Sequence, residues 1–214
     1  MMSEFHPKMY EARGLRTVAA LRKNGFDALF VETASRAAEK TMEFIFSGAK
    51  VGFGGSATIK SMNIQDLAAK KGAIILDHNA PGITPEQKME ILRGQLTCDV
   101  FISSSNAITM DGVLLNVDAN GNRIAALSFG PKKNVVVAGL NKVVANLDEA
   151  YERLKAYASP LNNIRLNKEN PCVARGYCAD CALPTRICRA YLELRRKPAL
   201  SDFTVIIVGE DMGF

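Results

Sequence analysis

Two stretches of this chain carry residue types and spacings that could do chemistry. The first is a run of cysteines, Cys172, Cys178, Cys181 and Cys188, in the pattern C-x5-C-x2-C-x6-C. The two-residue knuckle Cys178–Cys181 lets two thiolates reach one metal ion. Four sulfurs suit either zinc or an iron–sulfur cluster, and ligand count alone does not choose between them. Reduced thiols acting in redox chemistry, or merely grouped, are the other reading. The neighbouring Arg175, Arg186 and Arg189 are expected to lower the thiol pKa values and to offset thiolate charge. The fifth cysteine, Cys98, stands alone before an apolar run and reads as a small core residue.

The second stretch is Lys50 to Asn63, KVGFGGSATIKSMN. A short apolar strand runs into Gly54, Gly55 and Ser56, and a helix start follows. Strand, glycine turn and helix start together can present backbone N–H groups to an anion, with a helix dipole behind them. Lys60 lies too far along for a Walker A loop, and the pattern is not G-x-G-x-x-G. A tight turn without a ligand is the plain alternative. Other polar groups fall where strands end, at His78 beside Asp77 and Asn79, at Asn106 and Asp111 after Ser104 and Ser105, and at Lys132 and Lys133 beyond Gly130. A carboxylate and a lysine near an anion site could transfer a proton or orient a carbonyl. Each of these alone reads as a cap or turn residue. No G-x-S-x-G elbow, H-E-x-x-H or two-histidine pattern is present, and no motif for NAD or flavin.

Positioning such groups requires a core. The chain has 214 residues, 48% hydrophobic and 23% charged, enough for one α/β domain with an appendage. Net charge is +5 and tryptophan is absent; the basic residues lack interleaved aromatic rings, so nucleic-acid binding is poorly supported and an anionic small molecule fits better. No apolar run is long enough for a membrane span. The N-terminal residues lack the apolar centre of a signal peptide, which predicts a cytoplasmic protein. A homo-oligomer is compatible with this composition.

Hydrophobic periodicity predicts helices over 4–24, 35–46, 64–71, 84–96 and 146–157. Strands are predicted over 28–31, 50–53, 73–77, 100–103, 113–117, 124–129, 134–138 and 203–208, with Asn120-Gly121 as a hairpin turn. Thr84-Pro85-Glu86-Gln87 has the form of a capping box. Strands and helices alternate at first, and close-set strands follow. That pattern predicts a three-layer α/β fold with a mixed, mostly parallel sheet flanked by helices. Residues 1–158 and 202–214 form the domain, and 159–201 is a cysteine-rich insertion packed on it, entered by a polar loop over 159–171.

Four stretches, 51–64, 99–139, 171–188 and 205–214, resemble the lactate-utilisation (LUD) domain family, which includes lactate-utilisation protein C. The resemblance implies the fold of sugar-phosphate isomerases and CoA transferases, in which a glycine turn holds a phosphate-bearing substrate; the matching positions are Gly54, Gly55, Ser56 and Thr58. Catalytic acids of those relatives follow a middle strand, where this chain has Asn106 and Asp111. Asn106 in place of a carboxylate departs from isomerase chemistry. The family also implies a part in oxidising L-lactate to pyruvate, alongside iron–sulfur subunits encoded elsewhere. A free-standing isomerase- or transferase-like enzyme on a phosphorylated or CoA-linked molecule, with purely structural cysteines, is the alternative.

Overall fold

A computed structural model describes residues 5–214. The expected start of the first helix at residue 4 lies outside the described residues. In chain order the elements begin with α1 (Phe5–Lys23), β1 (Asp27–Val31), α2 (Ala34–Met42), β2 (Lys50–Phe53), α3 (Ala57–Ser61), α4 (Ile64–Lys70), β3 (Ile74–Leu76), α5 (Pro85–Gln95) and β4 (Val100–Ser103). The middle of the chain forms β5 (Ala107–Thr109), β6 (Leu114–Asp118), α6 (Asn122–Ser128), β7 (Lys133–Gly139) and β8 (Val143–Val144). Then come α7 (Leu147–Arg153), α8 (Ser159–Arg165), α9 (Pro171–Arg175), β9 (Ala190–Leu194) and β10 (Asp202–Val208).

The main sheet has six strands in the order β1-β10-β7-β4-β2-β3, and every pairing in it is parallel. Its central strands β7 and β10 carry runs of apolar residues, Val135–Ala138 and Val205–Val208, because helices cover both faces. Side chains alternate between the faces. Val136, Ala138, Val205, Ile207 and Phe101 pack toward Leu21, Phe26, Ala126 and Leu127. Val135, Val137, Ile206, Val208 and Ile102 pack toward Ala37, Ile59, Ile64 and Ala68. The antiparallel pairing that the later sequence suggested is confined to a second, four-stranded sheet, β8-β5-β6-β9. That sheet carries α7 on one side through Ala107, Leu115, Ala150 and Leu154.

Two local readings of the sequence change. Residues 124–128 belong to a helix that ends before Phe129, not to a strand over 124–129, and Asn120-Gly121 is not a hairpin turn. Gly121 takes φ 79° as the residue that opens α6, a left-handed conformation for which glycine has no steric penalty. The polar segment after residue 158 is also helical. A π-helical turn over Leu154–Ala158 joins α7 to α8, with Ser159 N–H bonded to Leu154 O. The cause is Pro160, which has no N–H to give the preceding turn. The Lys155 carbonyl instead accepts the Cys178 N–H at 2.9 Å, which ties the cysteine loop to this helix. The capping box at Thr84 and Gln87 forms as the sequence suggests.

Candidate functional site

The strands of the main sheet all point one way, so β2, β3, β4 and β7 release their chain at a common edge. Ligands of open α/β sheets sit at that edge. A cavity of about 320 Å³ opens there, bordered by Gly55, Ser56, His78, Lys88, Asn106, Asp118, Arg123, Lys142 and Arg165 among others. Seven of the residues singled out from sequence, Gly55, Ser56, His78, Asn79, Ser104, Ser105 and Asn106, thus meet at one hollow.

The others stand elsewhere. A Cβ on Gly54 would come within 2.6 Å of Ser103 Oγ and 3.0 Å of Arg123 Cδ, so Gly54 serves close packing of the turn against β4. A Cβ on Gly55 would meet only Arg165 Nη2, at 3.9 Å. Neither glycine takes a left-handed φ. Thr58 is fully buried and acts behind the cavity wall. Asp111 lies in the β5–β6 turn, bonded to Thr109 Oγ1, with its carbonyl accepting from Asn24 on the α1 side; it does not border the cavity. Lys132 is at the opposite edge of the sheet, where it pairs with Asp99 at 2.8 Å. That edge is where strands begin, so Lys132 cannot reach the hollow. The helix behind the glycine turn, α3, has five residues, and so short a helix contributes little dipole. Side chains supply the positive potential instead.

Three of those side chains, Arg123, Lys142 and Arg165, escape the sequence reading. Arg123 is committed to the framework. Its five N–H groups reach Asp118 Oδ1 at 2.9 Å, Ser104 O at 3.1 Å, Asn116 Oδ1 at 2.8 Å, Asn106 Oδ1 at 2.7 Å and Val117 O at 2.9 Å. Its ion pair with Asp118 is buried, with side-chain exposures of 13% and 7%. Arg123 therefore fixes the β4–β5 loop and β6, and neutralises the one carboxylate side chain bordering the cavity. Arg165 is exposed to solvent at the cavity rim, and partial desolvation lowers its pKa. Its Nε and Nη2 both donate to Asn162 Oδ1, and among the described residues it has no acidic partner.

Lys142 is 3% exposed. Its Nζ donates to Thr58 Oγ1 at 2.9 Å and to Ser104 Oγ at 3.1 Å. Burial, with the Arg153 and Arg123 charges adding to it, brings its pKa down from 10.5 to about 7. His78 sits across the turn-out of β3. Gln95 Nε2 donates to Leu76 O at 2.7 Å and lies 3.0 Å from His78 Nδ1. The carbonyl partner identifies that end of the amide as nitrogen, so Nδ1 accepts and Nε2 keeps the proton. Burial first, then the Lys88 charge, lowers the His78 pKa, with Asp77 opposing. Apart from Asp118, which Arg123 pairs, the side chains bordering the cavity are basic or uncharged, a balance of charge that would suit an anion.

The four cysteines border a second, much smaller cavity of about 20 Å³, together with Ser159, Asn163 and Asn170. All are reduced, and among the described residues no three His, Cys, Asp or Glu groups stand ready-made as a metal site. Asn163 Nδ2 lies 3.4 Å from Cys172 Sγ, and Asp180 N–H donates to Cys178 Sγ at 3.4 Å. Burial, then the neighbouring Cys188, Cys181 and Cys178, raises the Cys172 pKa. Burial likewise raises Cys188, against smaller lowering contributions from Ser159 and Arg186. The expectation that nearby arginines depress these two thiols fails because desolvation wins. Arg189 is occupied by the Arg186 and Pro184 carbonyls. Cys98 is buried and its pKa is pushed up to about 11, chiefly by burial, as suits an inert core thiol.

The two cavities share a wall. Ile187 borders both. So does α8, which gives Ser159 and Asn163 to the sulfur cavity and Asn162 and Arg165 to the cationic one.

The LUD domain family model matches residues 15–208. The chain belongs to the LUD domain family. A crystal structure of a DUF162 family protein from Deinococcus radiodurans has the same fold, with 12% sequence identity and a TM-score of 0.50 over 93% of this chain and 98% of that one. No curated protein matches the chain. Among the described residues, no helix of this LUD protein is long and apolar enough to cross a membrane.

Proposed function

We propose that this LUD protein binds a small anionic metabolite of the 2-hydroxy or 2-oxo carboxylate class and takes part in oxidising L-lactate to pyruvate. The observation that carries the reading is the cavity at the carboxyl ends of the parallel strands. There Lys88, Lys142 and Arg165 face a common hollow and, among the described residues, have no acidic partners, while Asp118 is neutralised by Arg123. A volume of about 320 Å³ is at the small end of ligand sites, which favours a short carboxylate over a CoA thioester.

Cys172, Cys178, Cys181 and Cys188 would hold a metal centre beside that site. The donor set fits a thiophilic ion, and the hollow of about 20 Å³ has room for roughly one water-sized occupant. That size favours a single ion such as zinc over an iron–sulfur cluster. Such an ion would remove the mutual repulsion of the four thiolates and clip the loop to α8. Electron transfer with iron–sulfur subunits would then take place through partner proteins.

Thermal shift with L-lactate and pyruvate tests the binding. A ligand at 100 times its dissociation constant adds about 2.7 kcal/mol of stability. Deletion of the gene should abolish growth on L-lactate. No shift with either acid, together with normal growth on lactate, would reject the proposal.

A further inference from the structure

We propose that Lys142 Nζ is a nucleophile that captures the carbonyl carbon of a small 2-oxo carboxylate as an imine, while Arg165 holds the carboxylate. This assignment rests on the anionic-metabolite reading of the cavity and names the reacting atom within it.

The argument is one of hydrogen-bond capacity. Thr58 Oγ1 gives its own proton to Met212 O at 3.0 Å, and Ser104 Oγ gives its proton to Ser105 O at 3.4 Å. Both hydroxyls must therefore accept from Nζ, at 2.9 and 3.1 Å. A neutral amine has two N–H bonds and one lone pair. The two hydroxyls take both N–H bonds, so the lone pair is left without a partner among the described residues, on a side chain that borders the cavity. An ammonium would instead bury a third N–H among Arg123 and Arg153 with no acid to receive it. Desolvation and these two cations hold the amine near neutrality, at about 7, the standard route to a reactive lysine.

The step balances without an oxidant. The Nζ lone pair forms a bond to the carbonyl carbon, and the carbonyl π pair moves to oxygen. That oxygen leaves as water with the two hydrogens that Nζ brought, and the C=N bond remains. On protonation the iminium keeps one N–H, for which either Thr58 Oγ1 or Ser104 Oγ is already placed. Arg165, whose guanidinium lacks an acidic partner, supplies the counter-charge for the acid's carboxylate.

The test is reductive trapping. The full-length protein is incubated with pyruvate and sodium cyanoborohydride, digested, and mapped by mass spectrometry, with calorimetry of pyruvate binding run in parallel. The expected result is an irreversible adduct on the peptide containing Lys142, absent from Lys142→Arg, whose guanidinium keeps N–H donors but has no nucleophilic lone pair. The Ser104→Ala variant, which frees one N–H of the amine, should slow trapping while leaving Lys142 the labelled residue. Pyruvate binding without an adduct, or labelling spread over Lys88 and surface lysines, overturns the nucleophile and leaves the anion site standing. Absence of both binding and adduct rejects the anion site as well.

Discussion

Replacing Lys142 by methionine should stabilise the protein in acid and destabilise it in base. The folded chain holds the Lys142 pKa at about 7, against 10.5 ordinarily, a difference of about 5 kcal/mol between the two protonation states. Below pH 7 the amine is charged in both folded and unfolded chains, and the native state carries the whole cost of a buried, acid-free ammonium. Between pH 7 and 10.5 the unfolded chain holds a proton that the folded chain has shed. Raising the pH therefore favours the native protein, by about 1.4 kcal/mol per pH unit. Methionine removes this dependence. It also leaves Thr58 and Ser104 without their donor, at about 1 kcal/mol each. The variant should thus exceed the parent by about 3 kcal/mol at pH 6 and fall below it by about 2 kcal/mol above pH 10. Urea denaturation of both proteins from pH 6 to 10, in a buffer free of phosphate and carboxylates, measures the difference. A gap that does not change with pH would show that Lys142 is charged and compensated in the native state, and the reasoning would fail.

The paired glycines should separate packing from access. Gly54→Ala places a carbon against Ser103 and Arg123 and should cost about 1–3 kcal/mol of stability; Gly55→Val should leave the melting temperature nearly unchanged and weaken pyruvate or lactate binding about tenfold or more, as calorimetry would show. Arg123→Met strands Asp118 in a buried position and should cost about 3–5 kcal/mol, read as a shift in the denaturation midpoint. Protein purified without oxygen should contain one metal ion per chain by elemental analysis, and Cys178→Ser or Cys188→Ser should lose it together with several degrees of melting temperature. Four freely titratable thiols in the untreated protein would contradict that last expectation.

The sequence revealed the sheet and one wall of the site but not its charge. Within the strands 134–138 and 203–208, residues 135–138 and 205–208 are unbroken apolar runs, which burial on both faces suits. The glycine turn was visible because its residues are neighbours in the chain. The cations were not, because Arg123, Lys142 and Arg165 come from three separate segments and each alone looks like a surface residue. Arg123 was further hidden by the apolar stretch Ile124–Phe129, whose content fits a strand, whereas the left-handed Gly121 and the bond from Ile124 N to Asp118 Oδ2 at 3.0 Å start a helix. Arg165 was masked by Pro160, which signals a loop. A proline can also be carried inside a helix when a π-turn absorbs the missing bond. Asp111 and Lys132 follow strands in sequence as active-site residues would, but one belongs to the second sheet and the other to the starting edge of the first.

The shared wall has a practical consequence. Because α8 lends one side to the sulfurs and the other to the cationic hollow, a cation drawn among the thiols would set the depth at which Arg165 enters that hollow. If the proposed metal and carboxylate sites both hold, batches of the protein that differ in bound metal should differ in their grip on carboxylates, and dissociation constants gathered without a metal inventory should scatter for a reason unrelated to the ligand.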